Sequence, residues 1–354
     1  MMRNLISAAL TTAALTTAAF TLFPAPALAD DAPPDHGRIA ERAVEAHILP
    51  RYAAFAEASE ALLEASQSCD VATLRQSYHA SFDAWMGVQH IAIGPVEAEM
   101  RRFAIAFWPD TKGFTRKALG PLIAAEDPVI DDPVAFAKLS VAARGLLALE
   151  RLLFDEKGPR PLAPGYRCRL AQAIARDLET SAAALLAGWR GEAGFQRTLL
   201  TPGPENALYP APEDVTRALF TSLDGGLQAL IDLRLGRPLG SFETPRPKRA
   251  EAWRSRRSLR NVAQSLEALQ ALYAQAFAPA LSDDERARID AAFARTRDMI
   301  DRGPTPLSSA VASPQTRFQI EAIQSQLAAL QRRLRGTLAP ALGVSLGFNA
   351  LDGD

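Results

Sequence analysis

Apolar residues recur along this chain at the three- and four-residue spacing of an amphipathic helix, and no segment keeps the period-two alternation of a half-buried strand. Arg38 to Ser66 carries Ile39, Val44, Ile48, Tyr52 and Phe55 on one side, with Pro50 expected to kink it. Asp70 caps a second helix from Val71 to about Ile91, which Gly94-Pro95 ends. Val96 to Phe107 and Thr111 to Ala125 read as shorter helices on either side of a turn at Trp108-Pro109-Asp110. Asp132-Pro133 opens a run to Phe154, because an aspartate accepts from the free first-turn N–H groups and proline needs no partner there. Arg167 to Trp189 and Pro212 to Leu235 follow, the latter with a weak point expected at Gly225-Gly226. Gly191 to Ala211 between them reads as a loop. After a Pro/Gly-rich stretch, Gly236 to Arg249, come Ala250 to Phe277, Ser282 to Arg302 and Ser313 to Leu338. The middle one starts with a capping box, Ser282 to Glu285. The expected fold is all-α, built from antiparallel bundles.

One residue interrupts the apolar pattern of the 132–154 run. Glu150 has Leu146 and Leu147 one turn before it and Leu153 and Phe154 one turn after. A carboxylate among four apolar neighbours is expected to be buried, and burial requires a partner or a raised pKa. His90, beside the Gly94-Pro95 break, is the second candidate, since imidazole suits most transition metals. The bland readings are a structural carboxylate paired with an arginine or backbone N–H groups, and a histidine packed near Trp85.

Several segments carry a resemblance. Gly145 to Phe154 (GLLALERLLF) resembles the signature segment of the imelysin family of bacterial periplasmic proteins, Gly-x-His-x-x-Glu followed by an aromatic-aliphatic run. Gly145 and Glu150 match, and Leu147 stands where the family has histidine. The Trp85 helix ending in Gly94-Pro95, Phe107 to Asp110 with the basic helix after it (Lys112, Arg116), Glu251 to Asn261 with Ser255 and Ser258, and the tail from Gly347 to Asp354 also resemble family segments. The resemblance implies two helical lobes, here residues 30–240 and 241–354, able to exchange helices within one domain. It implies a pocket between them near Glu150, His90, Trp85, Trp108, Asp110, Ser255 and Ser258, with Glu150 and His90 as metal ligands for iron or another divalent cation. It also implies a role in iron acquisition as a non-catalytic accessory protein that binds a metal or small ligand. Two alternatives are a metallopeptidase and a helical scaffold recruiting a periplasmic redox or iron-uptake partner. A zinc peptidase needs three protein ligands and a base, and no His-Glu-x-x-His occurs.

Composition narrows the setting. Residues 1–29, with Arg3, an apolar run and Ala27-Leu28-Ala29, read as a secretory signal peptide cleaved near Ala29, placing the protein in the periplasm. No later stretch spans a membrane. The net charge is −1 and basic residues are dispersed, which argues against nucleic acid. Cys69 and Cys168 are expected to form a disulfide in an exported chain. Ser255 and Ser258 with Arg254, Arg256 and Arg257 could hydrogen-bond an anion, against the plainer reading of a solvated helix start. Asp352 and Asp354 offer clustered oxygens of the kind hard cations favour.

Overall fold

The computed structural model describes residues 33–154 and 165–345, and every regular element among them is helical. The stretch 1–29 expected to be a signal peptide, the tail with Asp352 and Asp354, and most of the 157–165 loop lie outside the described residues. Asp35 caps α1 (His36–Arg42), which passes through a π-helical turn (Ala43–Ile48) into α2 (Leu49–Ser66). Pro50, expected to kink the run, follows directly on the π-helical turn, where the backbone hydrogen-bond register is already shifted. α3 (Val71–Val88) starts as expected, with the Asp70 carboxylate accepting from Thr73 N. Then come α4 (Arg101–Ile105), α5 (Phe114–Ala125) and the one-turn α6 (Pro133–Ala137). α7 (Gly145–Leu153), α8 (Tyr166–Trp189) and α9 (Phe195–Leu200) follow. α9 lies within the stretch expected to be loop. α10 (Pro212–Gln228) runs on through a π-helical segment (Ala229–Gly236) into α11 (Arg237–Leu239). α12 (Ser258–Leu272), α13 (Asp283–Asp301), α14 (Leu307–Ala310) and α15 (Pro314–Ala341) complete the order.

α2, α3, α7 and α8 pack on one another, α10, α12, α13 and α15 do likewise, and α3 against α12 joins the two groups. The described residues from Pro34 onward form one compact unit. Tyr52 stacks on Trp189, Trp85 packs on Phe55, and Phe220 meets Phe277 edge-on. Gly226 is no weak point. A Cβ there would come within 2.5 Å of Leu269, so its absence lets α10 lie close against α12. Cys69, between α2 and α3, is bonded to Cys168 in the first turn of α8, Cα–Cα 5.6 Å. A crosslink across 99 residues of chain is worth about 4–5 kcal/mol by loop-closure entropy. No helix among the described residues is long and apolar enough to cross a membrane.

Two expected helices are interrupted, and both interruptions build the site. The 132–154 run is not continuous. Asp132 caps only the single turn of α6, Ser140 starts a 3-10 turn at Val141–Ala143, and α7 begins afresh at Gly145. Arg144 is extended (φ −116°, ψ 168°) and clamps Asp177 through two hydrogen bonds of 2.9 and 2.6 Å. Gly145 is left-handed, φ +68°. The second break is at 250–257, expected to be helical. Ala252 and Arg256 there adopt φ +48° and +59°, and α12 starts only at Ser258.

Candidate functional site

α7 is apolar on nearly every face, so Glu150 is 1% exposed. Its Oε1 accepts from the Ser255 backbone N–H at 2.8 Å and from the Ser255 hydroxyl at 2.9 Å. Burial pushes the Glu150 carboxyl above its ordinary value, while the Ser255 hydrogen bonds and Arg254 pull it back. The carboxylate therefore ties α7 to the 250–257 turn, across 105 positions of sequence.

That junction floors a cavity of about 280 Å³. Its walls come from Leu147, Glu150 and Arg151 on α7, Phe107 to Thr111 with Gly113, Thr115 and Arg116, Arg237 of α11, and Lys248 to Ala250 with Ala252 to Arg254. Trp108 and Asp110 line it. The Asp110 carboxylate also caps α5, accepting from Phe114 N at 2.7 Å and Thr115 N at 3.0 Å. Leu147 faces the cavity one helical turn from Glu150.

Other sequence candidates lie elsewhere. Trp85 is in the core, 1% exposed. Ser258 donates to the Glu251 carbonyl at 2.6 Å rather than toward the cavity. Of the anion candidates Arg254, Arg256 and Arg257, only Arg254 lines the cavity; Arg257 is buried against Asp83, His79 and Asn261. His90 does not line it either. Its Nε2 lies 2.9 Å from His47 Nε2, so one ring donates and the other accepts. The Glu150–His90 metal pair is therefore replaced by two separate pairs, Glu150–Ser255 and His90–His47. The sequence pattern missed this because the apolar spacing around Glu150, His47 and His90 shows helix register but not which faces meet.

Burial lowers the His90 pKa to about 3, aided by Arg51 and Arg102, and lowers His47 well below its usual range. A depressed histidine contributes stability that is complete above the unfolded value near 6.5 and is lost as pH falls toward the folded value. Between about pH 8 and about pH 5 the pair is expected to cost the fold about 2 kcal/mol per ring, or about 4 kcal/mol together. Urea unfolding at the two pH values checks this. The His47→Gln/His90→Gln variant should lose most of the acid sensitivity, and an unchanged pH slope in that variant would refute the assignment.

The sequence matches the imelysin family over residues 46–334. The chain belongs to the imelysin family. It is 23% identical over 320 residues to iron-regulated protein A of Synechococcus elongatus, covering 84% of each chain. An imelysin-like protein from Psychrobacter arcticum superposes with a TM-score of 0.73 at 18% identity, over 88% of this chain and 97% of that one. A putative iron-regulated protein A precursor from Parabacteroides distasonis gives 0.67 at 14% identity, over 85% and 96%. The imelysin fold thus extends across the described helices. The family segments noted in the sequence, from α7 and from 107–110 and 251–255, converge on one cavity.

A metal does not fit this imelysin cavity. Among the described residues no histidine or cysteine lines it, and Asp110 and Glu150 are both engaged by N–H or O–H donors. Among the described residues, no group of three or more His, Cys, Asp or Glu could hold a metal ion.

Proposed function

We propose that this chain is an exported, non-catalytic binding protein that serves iron acquisition, with its ligand site in the cavity above Glu150. The observation that carries the reading is the Glu150–Ser255 junction, where a buried carboxylate spends its hydrogen bonds on shaping a cavity wall. Relatives named for iron regulation support the link to iron. The Cys69–Cys168 disulfide fits an oxidising compartment. The donor set speaks against the metallopeptidase alternative, since no side chain beside Glu150 supplies the imidazoles that a zinc hydrolase requires.

Uptake of labelled iron by iron-limited cells is the test. Cells lacking the chain are expected to take up less iron, and the wild-type chain to restore it. Glu150→Ala, secreted to the same level, should not restore it. Glu150→Gln keeps an acceptor for Ser255 and controls for misfolding. Equal uptake with and without the chain would sink the iron role, and full restoration by Glu150→Ala would move the site away from this cavity.

A further inference from the structure

Among the described residues, six basic side chains line the cavity: Arg116, Arg151, Arg237, Lys248, Arg249 and Arg254. Against them stand two described carboxylates, Asp110 and Glu150, so the described lining carries a net charge of +4 with all groups ionised (six minus two). The whole chain has a net charge of −1, so this concentration is local. Elsewhere the fold pairs its buried arginines. Arg234 meets Glu251, Arg257 meets Asp83, and Arg144 meets Asp177. Four of the cavity's cations depart from this pattern. Arg116, Arg237, Arg249 and Arg254 form no ion pair with a described carboxylate. Arg237 adds a second sign, because its Nε is buried without a hydrogen-bond partner. A buried donor left unmade costs free energy unless a ligand satisfies it.

We propose that this cavity binds a small multivalent oxyanion, a polycarboxylate or phosphate, and rejects bare metal cations. This deepens the binding-protein reading of the same site. A concave wall with an excess of one sign focuses the field and raises the local concentration of opposite charge. Guanidinium forks match carboxylate and phosphate oxygens two at a time. Trp253 holds two of the cations in place, with Arg254 4.4 Å and Lys248 5.1 Å from its ring centre. Glu150 is a positioning residue, since its bonds to Ser255 fix the turn that presents Arg254. The volume of 280 Å³ holds about nine waters at roughly 30 Å³ each, which suits a small anion.

Calorimetric titration of the mature full-length protein tests this, with citrate, inorganic phosphate, glycerol, zinc chloride and calcium chloride as probes. Saturable one-to-one binding is expected for citrate or phosphate, weakening as salt rises, with none for glycerol. Whichever anion binds tighter identifies the class. Arg237→Gln should weaken binding about tenfold or more, and Arg237→Gln/Arg254→Gln further, the loss of one and then two charge-assisted contacts. Circular dichroism checks that each variant is folded, and the exposed Arg249→Gln serves where Arg237→Gln is not. The proposal is overturned by no saturable binding of either anion, by undiminished affinity in the folded variants, or by zinc or calcium binding that Glu150→Gln abolishes. Such a failure would leave the iron-uptake result standing, so the two readings fail separately.

Discussion

Gly145→Ala is expected to destroy the native packing of α7, at a cost above about 4 kcal/mol. Gly145 has φ +68°, a region in which alanine is strained by about 1–2 kcal/mol. Steric overlap costs more than that strain. A Cβ would sit 2.2 Å from the Ala104 carbonyl oxygen and 2.3 Å from that of Ile105, both backbone atoms at the end of α4. Neither atom can swing away as a side chain could, so α7 would have to leave its seat beside α4. Glu150 would then lose Ser255, and the cavity its floor. Urea unfolding and near-UV circular dichroism of Gly145→Ala are the readouts. A midpoint close to that of the wild type would show that α7 shifts freely, and would contradict this account of the interruption before it.

Glu251→Ala is expected to cost about 3–5 kcal/mol. Glu251 is 3% exposed and accepts from Arg234 Nε at 2.7 Å, Arg234 Nη2 at 3.3 Å and Asn261 Nδ2 at 2.8 Å. Removing the carboxylate leaves a guanidinium that is only 4% exposed without its counter-charge, and a buried amide without its acceptor. The Arg234→Met/Glu251→Leu double variant should recover much of the loss, because an apolar pair of similar size carries no desolvation penalty. Denaturant midpoints for the two singles and the double close the cycle. Additive losses would mean the two groups do not depend on each other. Glu251 also begins the turn that carries Trp253, Arg254 and Ser255, so citrate or phosphate affinity should fall with it.

Local signals were the legible part of this fold. Asp70 and Ser282 cap helices because a side-chain oxygen and a free N–H lie three residues apart, a spacing visible in the chain itself. The helical runs at 71–88, 166–189 and 283–301 follow their apolar spacing closely. Glu150 announced its burial through its four apolar neighbours, and the two cysteines their pairing through the export expected from the N-terminal stretch. What stayed hidden depends on partners distant in sequence. Nothing local to Arg144-Gly145 says that α4 backbone fills the space a side chain would need. Nothing in Ala250 to Arg257 shows that Glu251 and Ser255 are claimed by Arg234 and Glu150. The Gly236 to Arg249 stretch reads as a linker because of its prolines, yet it ends on Lys248 and Arg249 at the cavity mouth. Its basic residues, taken with Arg254, were the available sign of an anion site.

An anomalous-diffraction map of crystals grown with tungstate, an electron-dense oxyanion, tests the cavity most directly. The charge arrangement predicts a single strong peak within hydrogen-bond reach of Arg237 and Arg254, above the Glu150–Ser255 junction. A cavity without tungstate, in crystals whose zinc-soaked counterparts show metal on Glu150, would contradict it and return the site to cation binding.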